Sequence, residues 1–396
     1  MMTADPIVIA GAARTPMGRF LGEFSGVPTQ RLGAAAIAAA LAKAGLSPDT
    51  VDELVMGCVL PAGLGQAPAR QAGRFAGLRD ATGATTINKM CGSGMKAVML
   101  GHDLLTAGSA DIVVAGGMEN MSAAPYLLPK ARGGYRYGHS TIYDHVALDG
   151  LEDAYQPGRS MGTFGEDTAQ LYQFTREAQD EYAIGSVTKA KAAIDSGVFA
   201  SEITPITVSA KGVDTAIDRD EGPLKIDVTK IPKLKPAFRP DGTITAASSS
   251  YNADGAAALV LTRRSVAESR GLTILAEIRA HSTQAQEPEW FSTAPIGAIK
   301  KIFAKTGWTA RDVDLFEINE AFAVVAMAAI RDLELDPASV NVYGGACALG
   351  HPIGASGARI IVTLLNAMER KGARRGIASL CIGGGEATAV AIERAA

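Results

Sequence analysis

The sequence predicts an α/β fold made of two related halves, with a differently textured segment inserted between them. Three observations lead there. Apolar strand-like runs alternate with helical ones, one set of motifs recurs about 262 positions later, and residues 124–250 break the pattern. Strands that read as continuous apolar runs are buried on both faces, so the alternation argues for a sheet covered by helices.

Taken in order, Ile7–Gly11 is a strand and Leu32–Ala44 an alanine-rich helix. Val51–Val59 is a second strand, Gly92–Ala107 a second helix, and Ala110–Gly117 a buried strand ending on glycines. The repeat shows in Ala42-Lys43-Ala44-Gly45 with Val51-Asp52, echoed by Ala304-Lys305-Thr306-Gly307 with Val313-Asp314. Gly92–Lys96 likewise faces Gly354–Arg359, and Val113–Glu119 faces Leu380–Glu386. Any one match is weak, because α/β units reuse glycine at helix ends and turns. Three in the same order point to a duplicated half. Residues 124–250 are instead rich in Tyr, Arg, Asp, Lys and Pro, and too long for a structureless loop. The expected domains are 1–123 with 251–271, an inserted 124–250, and 272–396.

Composition narrows the function classes. A chain of 396 residues has room for two or three domains. A formal net charge of −3 offers nucleic acid no basic face, and 47 % apolar with 20 % charged residues excludes wholesale disorder. No apolar stretch approaches the roughly 20 residues of a bilayer span. Neither nucleic acid nor membrane is therefore an expected partner. Four cysteines are too few for a disulfide scaffold and suit a reducing compartment. Met1–Pro6 carries no basic or arginine-rich leader, so a cytoplasmic location is expected. The histidines other than His351 lack ligand spacing along the chain, so no metal site is expected.

Chemistry concentrates at strand-to-helix junctions. Cys91, in Asn88-Lys89-Met90-Cys91-Gly92-Ser93-Gly94, stands where a helix begins. There the macrodipole lowers a thiol pKa and favours the nucleophilic thiolate; the competing reading is a buried core cysteine. His351, in Gly350-His351-Pro352, stands just ahead of the repeat's counterpart to that neighbourhood. The two halves would thus turn a cysteine and a histidine toward a pseudo-twofold axis, the usual arrangement for activating a thiol. Cys381 precedes Gly383-Gly384-Gly385, whose backbone N–H groups suit an oxyanion. Asn319, in Asn319-Glu320-Ala321-Phe322, either caps a helix or orients a water.

These four motifs in this order resemble the thiolase family, in its acetyl-CoA acetyltransferase branch, and the resemblance runs from end to end. It implies a layered α-β-α-β-α fold with an inserted coenzyme-A-binding loop domain. It implies that Cys91 carries the acyl group as a thioester, with His351 as its base and Cys381 as the acid/base at the α-carbon. It further implies one oxyanion site from His351 with a water on Asn319, and another from the N–H groups of Cys91 and Gly383. Met161, Phe238, Ser250 and Phe322 would line the pantetheine and acyl path. Ala246 and Lys225 would be further coenzyme A contacts, Lys225 standing where an arginine is common. Coenzyme A thioesters would be the substrates, with no separate cofactor and no metal, and the chain would form a homo-oligomer of two or four subunits. Phe291 replaces the family's usual Met-Gly, which bears on the acyl chains that fit.

Three rival readings are weaker. A decarboxylating ketoacyl synthase needs a second histidine where Asn319 stands. A carrier with no catalytic role has no use for intact Cys91 and His351 motifs. A Cys–His hydrolase would cleave thioesters without free coenzyme A.

Overall fold

A computed structural model describes residues 5–210 and 212–395. The leader-free reading of Met1–Ala4 lies outside the described residues.

The first half runs β1 (Ile7–Arg14), α1 (Thr29–Ala44), β2 (Glu53–Gly57), α2 (Pro68–Phe75), β3 (Gly83–Ile87), α3 (Ser93–Thr106) and β4 (Ile112–Asn120). The insertion follows, with α4 (Met161–Tyr172) and α5 (Arg176–Asp195), before β5 (Ala253–Arg263) completes the first sheet. The second half runs β6 (Ala276–Ala285), α6 (Ala294–Thr306), β7 (Leu315–Ile318), α7 (Ala323–Asp332), α8 (Ser356–Lys371), β8 (Arg375–Ile382) and β9 (Glu386–Glu393). The strands join in the order β7-β8-β9-β6-β1-β5-β4-β2-β3, and the halves meet where Val8 and Ile9 of β1 pair with Glu277 and Ala276 of β6. The second half's counterpart of β3 is reduced to a single bridge from Phe316 to Val340.

The sequence repeat has a structural cause. Gly45 and Gly307 each end a helix in the left-handed conformation, at φ 68° and 74°. Seven residues on, Asp52 accepts the N–H groups of Asp111 and Ile112 at 2.9 and 3.0 Å. Asp314 accepts those of Arg374 and Arg375, both at 2.8 Å. Each aspartate thus fixes where the neighbouring strand begins. The third match is corrected. Gly116 and Gly117 lie inside β4, whereas Gly383–Gly385 turn the chain from β8 into β9. The strand shortens too, because Val51–Val59 is a strand only over Glu53–Gly57.

The layers follow from burial. One core lies between the two half-sheets and is filled by α3 and α8 with the inner sheet faces. A second packs α1 and α2 on the outer face of the first half, and a third packs α6 and α7 on the second. That is the α-β-α-β-α order. Ser356 through Met368 of α8 are buried without exception, as expected of a helix enclosed on every side. The two central helices touch backbone to backbone. A Cβ on Gly357 would lie 2.4 Å from the Met95 nitrogen, and one on Gly117 2.0 Å from the Gly354 carbonyl oxygen. This is what the excess of glycine achieves at the centre.

The insertion leans on both halves. Phe164, Ala169 and Ile244 belong to the outer core of the second half, and Val187, Ala190 and Phe199 pack on Ala348 and Leu349. Arg14 of β1, fully buried, holds the insertion through Glu202 at 2.5 Å and Asp220 at 2.7 Å. Among the described residues no helix is long and apolar enough to cross a membrane.

Candidate active site

The turn between β3 and α3 is locked around Cys91. Met90 adopts the left-handed conformation at φ 47°, a strained state for a long side chain. Its N–H donates to the Asn88 side-chain oxygen at 2.9 Å, and its carbonyl accepts from the Ser93 hydroxyl at 2.6 Å. The Ser93 oxygen accepts from the Lys89 N–H at 2.8 Å, and the Lys89 ammonium pairs with Glu386 across the halves.

Cys91 stays partly exposed as a residue, but protein surrounds its thiol, and that burial pushes the pKa up to about 11. The backbone N–H groups of Gly383 and Cys91 pull the other way and do not win. The preformed thiolate expected from the helix start is therefore replaced by a neutral thiol. The residue sits one position outside Gly92, the helix cap, and burial outweighs the donors that reach it. Alkylation by iodoacetamide should accordingly speed up about tenfold per pH unit from pH 7 to 10, because only the thiolate reacts. A plateau near pH 7 would show the thiolate already formed.

His351 follows Gly350, whose φ of 85° turns the chain so that the imidazole enters the same space. The ring is buried, and that burial, with the charge of buried Arg359 beside it, lowers its pKa to about 3. It is a neutral imidazole. Nδ1 lies 2.5 Å from the Ser356 oxygen, whose own hydrogen is directed to the Pro352 carbonyl at 3.0 Å. Ser356 thereby accepts Nδ1–H and leaves Nε2 bare; that nitrogen has no protein partner. A Ser356→Ala enzyme should keep its KM and lose about tenfold to a hundredfold in kcat, a share of the 10²–10⁴ that acid–base groups supply. An unchanged kcat would remove Ser356 from tautomer control.

Cys91, His351 and Gly383 share a cavity of about 220 Å³ with Met161, Phe238, Ser250, Phe291 and Phe322. Its aromatic wall is built edge to face. The rings of Phe238 and Phe322 are 5.7 Å apart, and those of Phe322 and Phe291 6.3 Å apart. Gly162 leaves room for Phe238, since a Cβ there would sit 2.3 Å from the ring. Ser250 is pinned by its hydroxyl to the Ala321 carbonyl at 3.0 Å. Asn319 stands behind His351, its amide nitrogen 3.5 Å from Nδ1 and its oxygen buried without a partner. Cys381 is fully buried at the end of β8, and burial first of all holds its pKa well above the ordinary thiol value. The two further contacts expected for coenzyme A lie outside this cavity. Ala246 is exposed and outside the cavity lining, and Lys225 is exposed on a separate cleft with Glu23, Arg219 and Glu221.

Two buried carboxylates, with no assigned role in the sequence reading, position the site. Glu119 accepts the N–H groups of Val59, Leu60 and Gly354 at 2.9, 3.1 and 2.8 Å, tying the His351 loop to the first half. Glu320 accepts from Tyr182, Ser186, Asn341 and the Cys347 N–H at 2.7 to 3.0 Å, tying α5 of the insertion to the loop before His351. Both stand in the motifs Gly-Gly-Met-Glu-Asn and Asn-Glu-Ala-Phe, the only sequence signal that marked them. Cys58 and Cys347 are buried thiols on these two anchors.

Comparison with known proteins is consistent along the whole chain. The thiolase N-terminal domain model matches residues 7–265 and the thiolase C-terminal domain model residues 272–394. An acetyl-CoA acetyltransferase of Cupriavidus necator is 48% identical over 390 residues, covering 98% of this chain and 99% of its own. One from Pseudomonas aeruginosa is 47% identical over 390 residues, with the same coverage of 98% and 99%. The crystal structure of Acat5 thiolase from Ascaris suum in complex with coenzyme A has a TM-score of 0.93 at 39% identity, covering 98% of this chain and 100% of that one. The acetyl-CoA acetyltransferase structure from Syntrophomonas wolfei has a TM-score of 0.95 at 36% identity, covering 99% and 100%.

Proposed function

The chain belongs to the thiolase family, and from that premise we propose how its cavity performs the acetyl-CoA C-acetyltransferase reaction, the reversible condensation of two acetyl-CoA into acetoacetyl-CoA and coenzyme A. The observation that carries the reading is one cavity lined by a thiol, a bare imidazole nitrogen and the Gly383 turn. Cys91 Sγ attacks the thioester carbonyl while its proton passes to His351 Nε2. The C–S bond to coenzyme A breaks, and the leaving sulfur takes that proton. The tetrahedral oxyanion meets the N–H groups of Cys91 and Gly383, which supply their stabilisation without reorganising. Because thiol and imidazole are both neutral at rest, charge develops only as the bond forms.

In the second half-reaction Cys381 passes its own proton to the neutral His351 Nε2, takes one from the α-carbon of a second acetyl-CoA, and at the end of the cycle recovers its own from the imidazolium. The carbanion attacks acetyl-Cys91, a C–C bond forms, the C–S bond breaks, and Cys381 returns the proton to Cys91. The enolate oxygen is held by His351 and a water on the buried Asn319 oxygen. Two half-reactions through one thioester require ping-pong kinetics. Met161, Phe238, Ser250 and Phe322 guide pantetheine, and Phe291 closes the acyl end. Ala246 and Lys225, outside the cavity, are left to the nucleotide end of coenzyme A.

On this reading the enzyme needs no cofactor beyond its thioester substrates, serves short-chain acyl-CoA metabolism in the cytoplasm, and assembles as a homo-oligomer of two or four. Light scattering on the purified protein tests the last point. The decisive experiment mixes the enzyme with acetoacetyl-CoA, with and without free coenzyme A, and maps acetylation by mass spectrometry. Coenzyme-A-dependent cleavage with acetyl on Cys91 is expected. Cleavage that ignores coenzyme A, or acetyl elsewhere, would overturn the proposal in favour of a hydrolase.

A further inference from the structure

We propose that His102, Asp103 and His281 form a binding site for a divalent transition-metal ion that clamps the two halves together. His102 and Asp103 lie in the last turns of α3, in the first half, and His281 lies on β6, in the second. No linear spacing joins them, which is why the sequence carries no sign of a metal site. The fold brings one donor atom from each within 4.8 Å of the others.

The geometry is close to a coordination sphere. Asp103 Oδ1 lies 3.3 Å from His102 Nδ1 and 2.9 Å from His281 Nε2. Ligands held about 2.0–2.1 Å from a zinc ion at tetrahedral angles stand roughly 3.3 Å apart, which the two separations from Asp103 approach, while the two imidazole nitrogens lie within 4.8 Å of each other. The two imidazoles are already packed edge to face, with ring centroids 4.9 Å apart. Their side chains are 22 and 17 % exposed and the carboxylate 52 %, so protein backs the site while one side opens to solvent. That opening admits the ion and leaves a position for water.

The donor set selects the ligand class. Two imidazoles and one carboxylate suit zinc, cobalt or nickel and not magnesium or calcium, which take all-oxygen sites. Without metal, Asp103 accepts an N–H from each ring. With metal, each ring shifts that proton to its other nitrogen and turns a lone pair to the ion, so no net proton is released by the imidazoles. Lys305 of α6 is the nearby cation; its ammonium is engaged with the His281 carbonyl at 2.7 Å.

The test uses the full chain with Cys91 first blocked by iodoacetamide, so that the cavity thiol cannot take the metal. Cobalt(II) is titrated by its visible absorption and zinc(II) by calorimetry, and Tm is read with and without zinc. One ion per chain is expected, with a rise in Tm. His281→Gln and His102→Gln should each weaken binding at least about tenfold. Their unblocked forms should retain thiolysis, which shows that they fold. Equal binding by parent and both variants, or no saturable binding by the parent, would overturn the proposal, as would competition by magnesium.

Discussion

A Cys381→Ser enzyme should still form acetyl-Cys91 from acetyl-CoA while making acetoacetyl-CoA about 10²–10⁴ times more slowly. Cys381 is wholly enclosed, and that enclosure holds its thiol well above the ordinary value. Cys91 is uncharged both as the resting thiol and as the acetyl thioester, so in the second half-reaction no charge beside Cys381 opposes its ionisation. Serine keeps the size and hydrogen bonding of the site but has a far higher pKa than a thiol, so the proton abstraction suffers alone. Mass spectrometry of the acyl-enzyme and a spectrophotometric assay of condensation separate the two steps. Equal loss in both would show that Cys381 supports the site as a whole and has no distinct step.

The second large effect is on folding. Gly117→Ala places a Cβ 2.0 Å from the Gly354 carbonyl oxygen and 2.9 Å from the Ala355 Cα, and both are backbone atoms that cannot rotate aside. The strand and the His351 loop must move apart, at a cost of at least about 3 kcal/mol, the upper end for overpacked cores. Activity should fall with stability, because Gly354 is also the residue through which Glu119 holds that loop. Gly185→Ala is the contrast. It lies within α5 with nothing within 4 Å of a new Cβ, so it should be neutral or stabilising by up to about 1 kcal/mol. Denaturation midpoints of the two variants check both. A Gly117→Ala protein as stable as its parent would contradict the backbone contact between the halves.

Much of this molecule was legible because its signals are local. Gly45 and Gly307 end helices by a conformation that glycine favours, and Asp52 and Asp314 follow at the same interval to start the neighbouring strands. Such features depend on residues a few positions apart, so they survive as a readable repeat. The glycines of β4 and of the turn after β8 look equivalent in the sequence for the same reason, and are not. Glycine serves close approach at Gly117 and reversal at Gly385, φ 89°, and the letters do not distinguish the two.

The sequence by itself determined the α/β class, the duplication, the position of Cys91 and His351 at equivalent junctions, and the family they resemble. Only the tertiary structure decided the protonation of the site. Cys91 was expected as a thiolate and is a thiol, since desolvation is set by everything packed around a group and no neighbouring letter encodes it. The same holds for Glu119 and Glu320, whose partners come from distant segments, and for Ser356, which takes Nδ1 of the imidazole and leaves Nε2 without a partner. The meeting of Asp103 with His281 across 178 positions is of this kind too. Contacts between residues so far apart are chosen by how the two halves close on α3 and α8, and closure is a property of the packed whole.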